Sequence, residues 1–276
     1  MNILSAIQQA SQQLSDSDSP KLDAEVLLAH ILNKDRIYLL TWPEQALGSE
    51  QLTDFFDLIQ QRQNGTPVAH LTGHSEFWSL PLNVNQHTLI PRPETELLVE
   101  AALERIPPEA NWNIVDLGTG SGAIALAISS ERPSCTVHAV ERSSAALQQA
   151  RANAEQLDLQ VQFHQGSWFE PLADMRFELV VSNPPYIPEQ DPHLSQGDVR
   201  FEPDTALSSG KDGLDDIRHI CQTAQQYLKP GGWLLLEHGY DQGESVAEIL
   251  RAEGYSRVET LKDLAGQPRI ALGQYR

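Results

Sequence analysis

The 276-residue sequence predicts an α/β protein in which a small all-helical domain precedes an open, mainly parallel sheet flanked by helices. Three observations predict it. From about residue 93 onward, short apolar runs alternate with amphipathic stretches at helical spacing, the pattern of strand-helix-strand units. Residues 1–75 carry apolar positions at helical spacing. A glycine turn, Gly118-Thr119-Gly120-Ser121-Gly122, joins an apolar run to the start of a helix. The expected organisation is a helical domain over 1–75, a hairpin linker over 76–92 and the sheet domain over 93–276.

In chain order, Ile3, Leu4, Ile7 and Leu14 recur at helical spacing. Ser19-Pro20 suits an N-cap and first turn before a helix over Leu22 to Ile31. Ser49 precedes Leu52, Phe55, Phe56 and Ile59, with Gly65 as the stop, so four or five helices are expected in this part. Glu76 to Leu80 and Pro81 to Val84 have strand composition and predict a hairpin. A helix is expected to begin near Pro93, and Arg92 and Glu94 either cap it or touch a substrate loop. Strands follow at Asn113 to Leu117, Thr136 to Val140 and Phe177 to Ser182, with a helix over Ala123 to Ile128. A helix over 212–228 ends at Pro230-Gly231-Gly232, ahead of a strand from Trp233 to Glu237.

Composition sets the outer limits. The chain is long enough, and at 40% hydrophobic apolar enough, to bury a sizeable core. Two cysteines, Cys135 and Cys221, make neither a disulfide framework nor a zinc site, so a reducing cytoplasm is expected and no metal is assigned. His70 and His74 stand four apart without an acidic partner motif and read as surface or capping residues. Met1 to Ser5 lack the basic start of a leader, and no apolar run approaches a membrane span. Net charge is −19, with 4 Lys and Arg against 10 Asp and Glu in residues 1–80 and 15 against 28 in the rest. Acidity in both parts speaks against direct nucleic-acid binding, whose affinity comes from cations that neutralise phosphates. No membrane partner is expected, and a monomer is.

The chemistry is concentrated at three strand ends. Asn183-Pro184-Pro185-Tyr186 follows an apolar run directly. Two prolines leave carbonyl acceptors without N–H groups on a stiff backbone, Asn183 adds a neutral acceptor, and the Tyr186 ring can cover a planar group. Such a loop suits a flat NH2 group, holding its two hydrogens so that the nitrogen lone pair points at an electrophile. The turn Gly118 to Gly122 has the spacing G-x-G-x-G, unlike the G-x-G-x-x-G that receives a pyrophosphate. S-adenosylmethionine has no phosphate to receive. Glu141, about twenty residues on, ends the next strand with a carboxylate able to accept from both ribose hydroxyls. Each feature has a bland counterpart: a tight turn, a cap, a strand stopped by proline. Their co-location at carboxyl ends of strands, where open α/β sheets bind ligands, favours a methyltransferase.

With Leu89-Ile90-Pro91-Arg92-Pro93-Glu94-Thr95-Glu96, Gln196 to Pro203, and Leu234-Leu235-Leu236-Glu237-His238-Gly239 added, the chain resembles the HemK or PrmC family of glutamine methyltransferases along nearly its whole length. The resemblance implies a Rossmann-like class I S-adenosylmethionine-dependent methyltransferase domain, closed by an antiparallel pair at Arg257 to Leu261 and Arg269 to Leu272. It implies a substrate, the glutamine of the Gly-Gly-Gln tripeptide in class 1 peptide chain release factors, methylated on its side-chain amide nitrogen. The helical domain would recognise that partner. Residue by residue, Gly118, Thr119, Gly120, Ser121, Gly122 and Glu141 would hold the cofactor with Trp168 beside the adenine. Asn183 would touch cofactor and substrate, and Pro184, Pro185 and Tyr186 the glutamine. Asn183, Pro184 and Tyr186 are the expected catalytic residues. Many relatives carry Asp where this chain has Glu141 and Ser167.

The expected mechanism is in-line transfer to nitrogen with no covalent enzyme intermediate and no strong general base. Three alternatives stand beside it: a ribosomal-protein glutamine methyltransferase, which shares the tetrapeptide; an adenine-specific DNA methyltransferase, disfavoured by charge; and a cofactor-binding adaptor, disfavoured by the intact loop.

Overall fold

The computed structural model describes residues 1–195 and 197–276. Gln196, first residue of the segment Gln196 to Pro203, lies outside the described residues. The chain divides into two compact units, one of Met1–His74 with Gly197–Phe201 and one of Ser75–Gln196 with Glu202–Arg276.

The first unit is built on α1 (Ile3–Gln13), α2 (Pro20–Leu32), α3 (Arg36–Thr41), α4 (Ser49–Gln63) and α5 (Val68–Thr72). Ile3, Ala6, Leu27, Leu28, Phe55 and Ile59 are fully buried and form its core. Ser19 stands at the N-cap of α2 with Pro20 behind it, but its hydroxyl donates to Asp23 Oδ1 instead of capping the backbone. The N-cap of α4 is Gly48, one residue before the expected Ser49, and the Gln51 side chain accepts its N–H at 2.9 Å. Arg62, at the end of α4, pairs with Asp23 at 2.8 Å and with Asp198 at 2.7 Å. Through that pair the 197–201 segment joins this unit.

The second unit opens with a two-stranded hairpin, β1 (His74–Phe77) and β2 (Leu80–Asn83), whose turn residues Trp78 and Ser79 have φ of 54° and 57°. Positive φ at both central positions is the turn whose twist matches paired strands. A 3₁₀ turn at Pro93–Thr95 leads into α6 (Glu96–Arg105). Then come β3 (Asn113–Leu117), α7 (Ala123–Glu131), β4 (Thr136–Glu141), α8 (Ser144–Leu157), β5 (Val161–Gln165), β6 (Phe177–Ser182), α9 (Asp215–Ala224), β7 (Leu228–Glu237), α10 (Gly243–Ala252), β8 (Ser256–Lys262) and β9 (Pro268–Gln274). The sheet order is β5-β4-β3-β6-β7-β9-β8, parallel except for β9, which runs antiparallel to β7 and β8. Strand alternation feeds two cores. Ile114, Val137, Leu179 and Leu235 face α6 and α7, whereas Val115, Val180, Leu234 and Leu236 face α9 and α10.

Two expectations need correction here. The helix expected over 212–228 is shorter, Asp215–Ala224, and Leu228 already belongs to a strand. Pro230-Gly231-Gly232 does not separate helix from strand. β7 runs through it as an irregularity in which Phe177 pairs with Leu228 and Leu179 with Trp233. The bulge is held from the far side, since Gly231 N–H donates to Tyr275 O and Tyr275 N–H to Gly232 O. Among the described residues, no helix is long and apolar enough to cross a membrane.

Candidate active site

Chain order places β4 on one side of β3 and β6 on the other, so a crevice opens at the carboxyl end of β3. The register aligns the strand ends: Leu117 with Val140 and with Ser182, and Ser182 with Leu236. The residues that follow, Gly118, Glu141, Asn183 and Glu237, therefore emerge along one edge.

The glycine turn takes φ of 73°, 57° and 89° at Gly118, Gly120 and Gly122. At Gly120 nothing lies within 4 Å of where a Cβ would stand, and its backbone N–H has a carboxylate partner. That N–H donates to Glu141 Oε2 at 3.1 Å, and Ser143 N–H donates to Oε1 at 2.8 Å. Both carboxylate oxygens are thus fixed by backbone, each with a lone pair left for a ligand hydroxyl. Trp168 holds φ of 50°, and its ring packs 3.4 Å from a Cβ position at Gly118. A bulky residue held in the left-handed region is the kind of strain that collects at ligand sites.

A cavity of about 550 Å³ fills the crevice. Gly118, Gly120, Glu141, Ser167, Trp168, Asn183 and Pro185 line it. Thr119, Ser121, Gly122, Pro184 and Tyr186 are not in its wall. Thr119 and Ser121 are buried and hold the turn together, Thr119 by donating to Asp116 Oδ2 at 2.5 Å and Ser121 through its carbonyl, which accepts from Asn153 Nδ2 at 2.9 Å. Pro184 is buried, and the Tyr186 hydroxyl turns inward to Glu237 Oε1 at 3.3 Å. Two further walls, Gln86 to Leu89 and residues 203–208, were given no role in the sequence reading, although Leu89 and Pro203 stand in motifs quoted above. Neither has periodicity to announce it. Arg92 does not reach the cavity; its guanidinium binds both oxygens of the buried Glu202 at 2.9 Å.

The electrostatics are those of a dry edge. Burial pushes the fully enclosed Asp116 carboxyl up to about 7, against the Thr119 hydroxyl that favours its anion. Burial also lifts Glu237 to about 7, opposed by the Thr95 and Tyr186 hydroxyls. Burial and then the Glu237 carboxyl raise the Tyr186 phenol above its ordinary range. Sequence reasoning gave Glu237 no task, although the signal was that of Glu141, a carboxylate closing an apolar strand.

The Asn183 carboxamide donates from Nδ2 to Thr95 Oγ1 at 3.2 Å, which leaves Oδ1 as its free acceptor. The site therefore combines a glycine cradle with a pinned carboxylate on one side and a neutral acceptor on a proline-stiffened loop on the other. An adenosine-bearing ligand fits the first half and a planar amide the second.

Comparison with known proteins agrees with this geometry. The family description "PrmC N-terminal domain" matches residues 5–73, and "Methyltransferase small domain" matches residues 93–198. A release factor glutamine methyltransferase of Pseudomonas aeruginosa is 54% identical over 264 residues, covering 95% of each chain. One of Vibrio cholerae is 52% identical over 280 residues, covering 100% of this chain and 98% of its own. Among solved structures, a methyltransferase of Pyrococcus furiosus matches the fold with a TM-score of 0.54 at 20% identity, over 71% of this chain and 88% of that one.

Proposed function

The chain belongs to the release factor glutamine methyltransferase family, and from that premise we propose that it methylates the side-chain amide nitrogen of the glutamine in the Gly-Gly-Gln motif of class 1 release factors. The observation that carries the proposal is the pairing, in one cavity, of the Glu141-pinned glycine turn with an Asn183 whose free end is an acceptor. Bound S-adenosyl-L-methionine would supply an electrophilic methyl on a sulfonium. Gly118, Gly120 and Trp168 would hold it, and Glu141 would accept from its ribose.

The chain's own residues then act by position. Asn183 Oδ1 accepts from the NH2 of the substrate amide, which turns the nitrogen lone pair away from it and stabilises the positive charge that grows on nitrogen. Pro184 and Pro185 keep that acceptor in place without adding a competing N–H. Tyr186, outside the cavity wall, anchors the loop from behind, its hydroxyl held by Glu237. Proton loss follows methyl transfer, so no strong base is required.

Labelled S-adenosylmethionine offered with a purified release factor, the same factor with its Gly-Gly-Gln glutamine replaced, a ribosomal protein and duplex DNA tests the reading. Label on the unmodified factor alone is the expected result. Label only on the ribosomal protein or DNA would overturn the substrate, and binding without transfer would overturn the activity.

A further inference from the structure

Gln242 stands at the N-cap of α10, is 8% exposed and is not in the cavity wall. Its carboxamide makes three hydrogen bonds, all to backbone. Oε1 accepts from Gly239 N–H at 2.9 Å, and Nε2 donates to Tyr186 O at 2.9 Å and to Asp212 O at 3.3 Å. The two ends of a carboxamide have nearly the same shape, so its orientation is decided by the partners. Here every partner is a backbone group, a fixed donor or a fixed acceptor, and the orientation is settled. Two glycines make room for it: a Cβ on Gly213 would stand 2.8 Å from Nε2, and one on Gly239 3.0 Å from Oε1. Methionine in this place would answer none of the three groups, and glutamate would set an acceptor against two carbonyls.

The three groups come from the end of β7, the Asn-Pro-Pro-Tyr loop and the turn ahead of α9. That loop is stiff but hard to fasten, because Pro184 and Pro185 have no N–H to donate. Its fastenings gather at Tyr186, whose N–H donates to Leu207 O at 3.2 Å, whose hydroxyl donates to Glu237 Oε1 at 3.3 Å, and whose carbonyl accepts from Gln242. Pro185, just before Tyr186, lines the cavity, and so does Asp216 in the first turn of α9. One side chain outside the cavity therefore holds two pieces of its wall. A misplacement of about 1 Å at such a distance from the chemistry can cost about 10²-fold in rate.

We propose that Gln242 is a positioning residue for methyl transfer: it locks the Tyr186 carbonyl to the turn ahead of α9 and so sets where Asn183 and Pro185 stand against the substrate amide. This rests on the methyl-transfer reading above. Gly118, Gly120 and Glu141, on the cofactor side, are carried by β3 and β4, and the hydrogen bonds of Gln242 go to neither strand. Its effect therefore falls on the transfer step and not on cofactor affinity.

The test compares wild type, Gln242→Met, Gln242→Glu and Gln225→Met as full-length proteins. Gln225 is the matched control: its Nε2 donates to Glu253 O at 2.8 Å, a backbone tie of the same kind at the other end of α10, away from the loop. Initial rates on a purified release factor are read at saturating labelled S-adenosylmethionine, with cofactor binding by calorimetry and folding by circular dichroism. Gln242→Met and Gln242→Glu are expected to lose about 10- to 100-fold in kcat while the cofactor Kd stays within about twofold. Gln225→Met is expected to keep wild-type kcat. Wild-type kcat in the Gln242 variants would overturn the inference, as would an equal fall in Gln225→Met, or a fall that comes only with loss of cofactor binding. Should Gln242→Met fail to fold, Gln242→Glu, which keeps the size and the acceptor for Gly239 N–H, decides. Failure of the wild type itself to label the factor would instead overturn the methyl-transfer reading.

Discussion

The side-chain amide of Gln242 donates to the backbone carbonyl of Tyr186 across 2.9 Å, while its oxygen accepts from Gly239 N–H at 2.9 Å. The same Nε2 also reaches Asp212 O at 3.3 Å, so one buried glutamine ties the Asn-Pro-Pro-Tyr loop to the turn ahead of α9. Gly213 completes that turn with φ of 76°, and a Cβ there would stand 2.2 Å from Tyr186 O. Gly213→Ala is therefore expected to destabilise the protein by at least roughly 1–3 kcal/mol from backbone strain and to displace the loop. Thermal unfolding and kcat should fall together; a variant with unchanged activity would show that the loop position is not critical.

In the proposed reaction Asn183 supplies the acceptor for the substrate amide. Asn183→Ala is expected to reduce kcat by on the order of 10²- to 10³-fold, because an acceptor and a cavity wall disappear together. Single-turnover rates with a release factor check this, and near-wild-type rates would remove Asn183 from the chemistry.

Glu141 is expected to govern cofactor affinity and not the transfer step. Hydrogen bonds to a charged group contribute about 1.5–3 kcal/mol, so Glu141→Ala should weaken S-adenosylmethionine binding by about 10- to 100-fold. Titration calorimetry reads this directly. An unchanged Kd would place the ribose elsewhere.

Glu237 should leave a mark on stability as well. Its carboxyl ordinarily titrates at 4.5 and is raised to about 7 in the folded chain. Between those values the folded protein keeps a proton that the unfolded chain has released, so this contribution to stability is complete below 4.5 and is lost as pH rises through about 7. Glu237→Gln carries no such group. Its melting temperature is expected to decline less than that of the wild type from pH 5 to 8, and parallel declines by calorimetry would contradict the raised value.

Arg92 answers a carboxylate with no exposed side-chain surface, Glu202, whose Oε1 also accepts Ile90 N–H at 3.1 Å. Removing the cation while the buried anion remains typically costs about 3–5 kcal/mol. Arg92→Ala should shift the urea midpoint accordingly, and Arg92→Ala with Glu202→Gln should recover part of the loss.

What could be read in advance was local. Strands β3, β4 and β6 are apolar runs closed by residues that change the chemistry abruptly, and α2 carries its proline at the first turn. Patterns that depend on a distant partner could not be read. Pro230-Gly231-Gly232 looks like a break because its supports, Tyr275 and the β9 edge, lie more than forty residues away. The cavity walls at Gln86 to Leu89 and 203–208 have neither periodicity nor a terminal signal. Thr95 and Asn183 stood within recognisable motifs, but the hydrogen bond between them depends on the turn before α6 and the end of β6 being brought together by the sheet. The inward turn of the Tyr186 hydroxyl is likewise a packing result, set by where Glu237 emerges.

The pairing of Arg62 with Asp198 has a consequence for how this chain is made. The five helices of the first unit leave the ribosome more than a hundred residues ahead of Gly197–Phe201, the piece that completes them. At ordinary translation speeds that interval is on the order of ten seconds. During it Arg62 has Asp23 but not Asp198, and the helical unit waits as an unfinished body until most of the sheet has been synthesised.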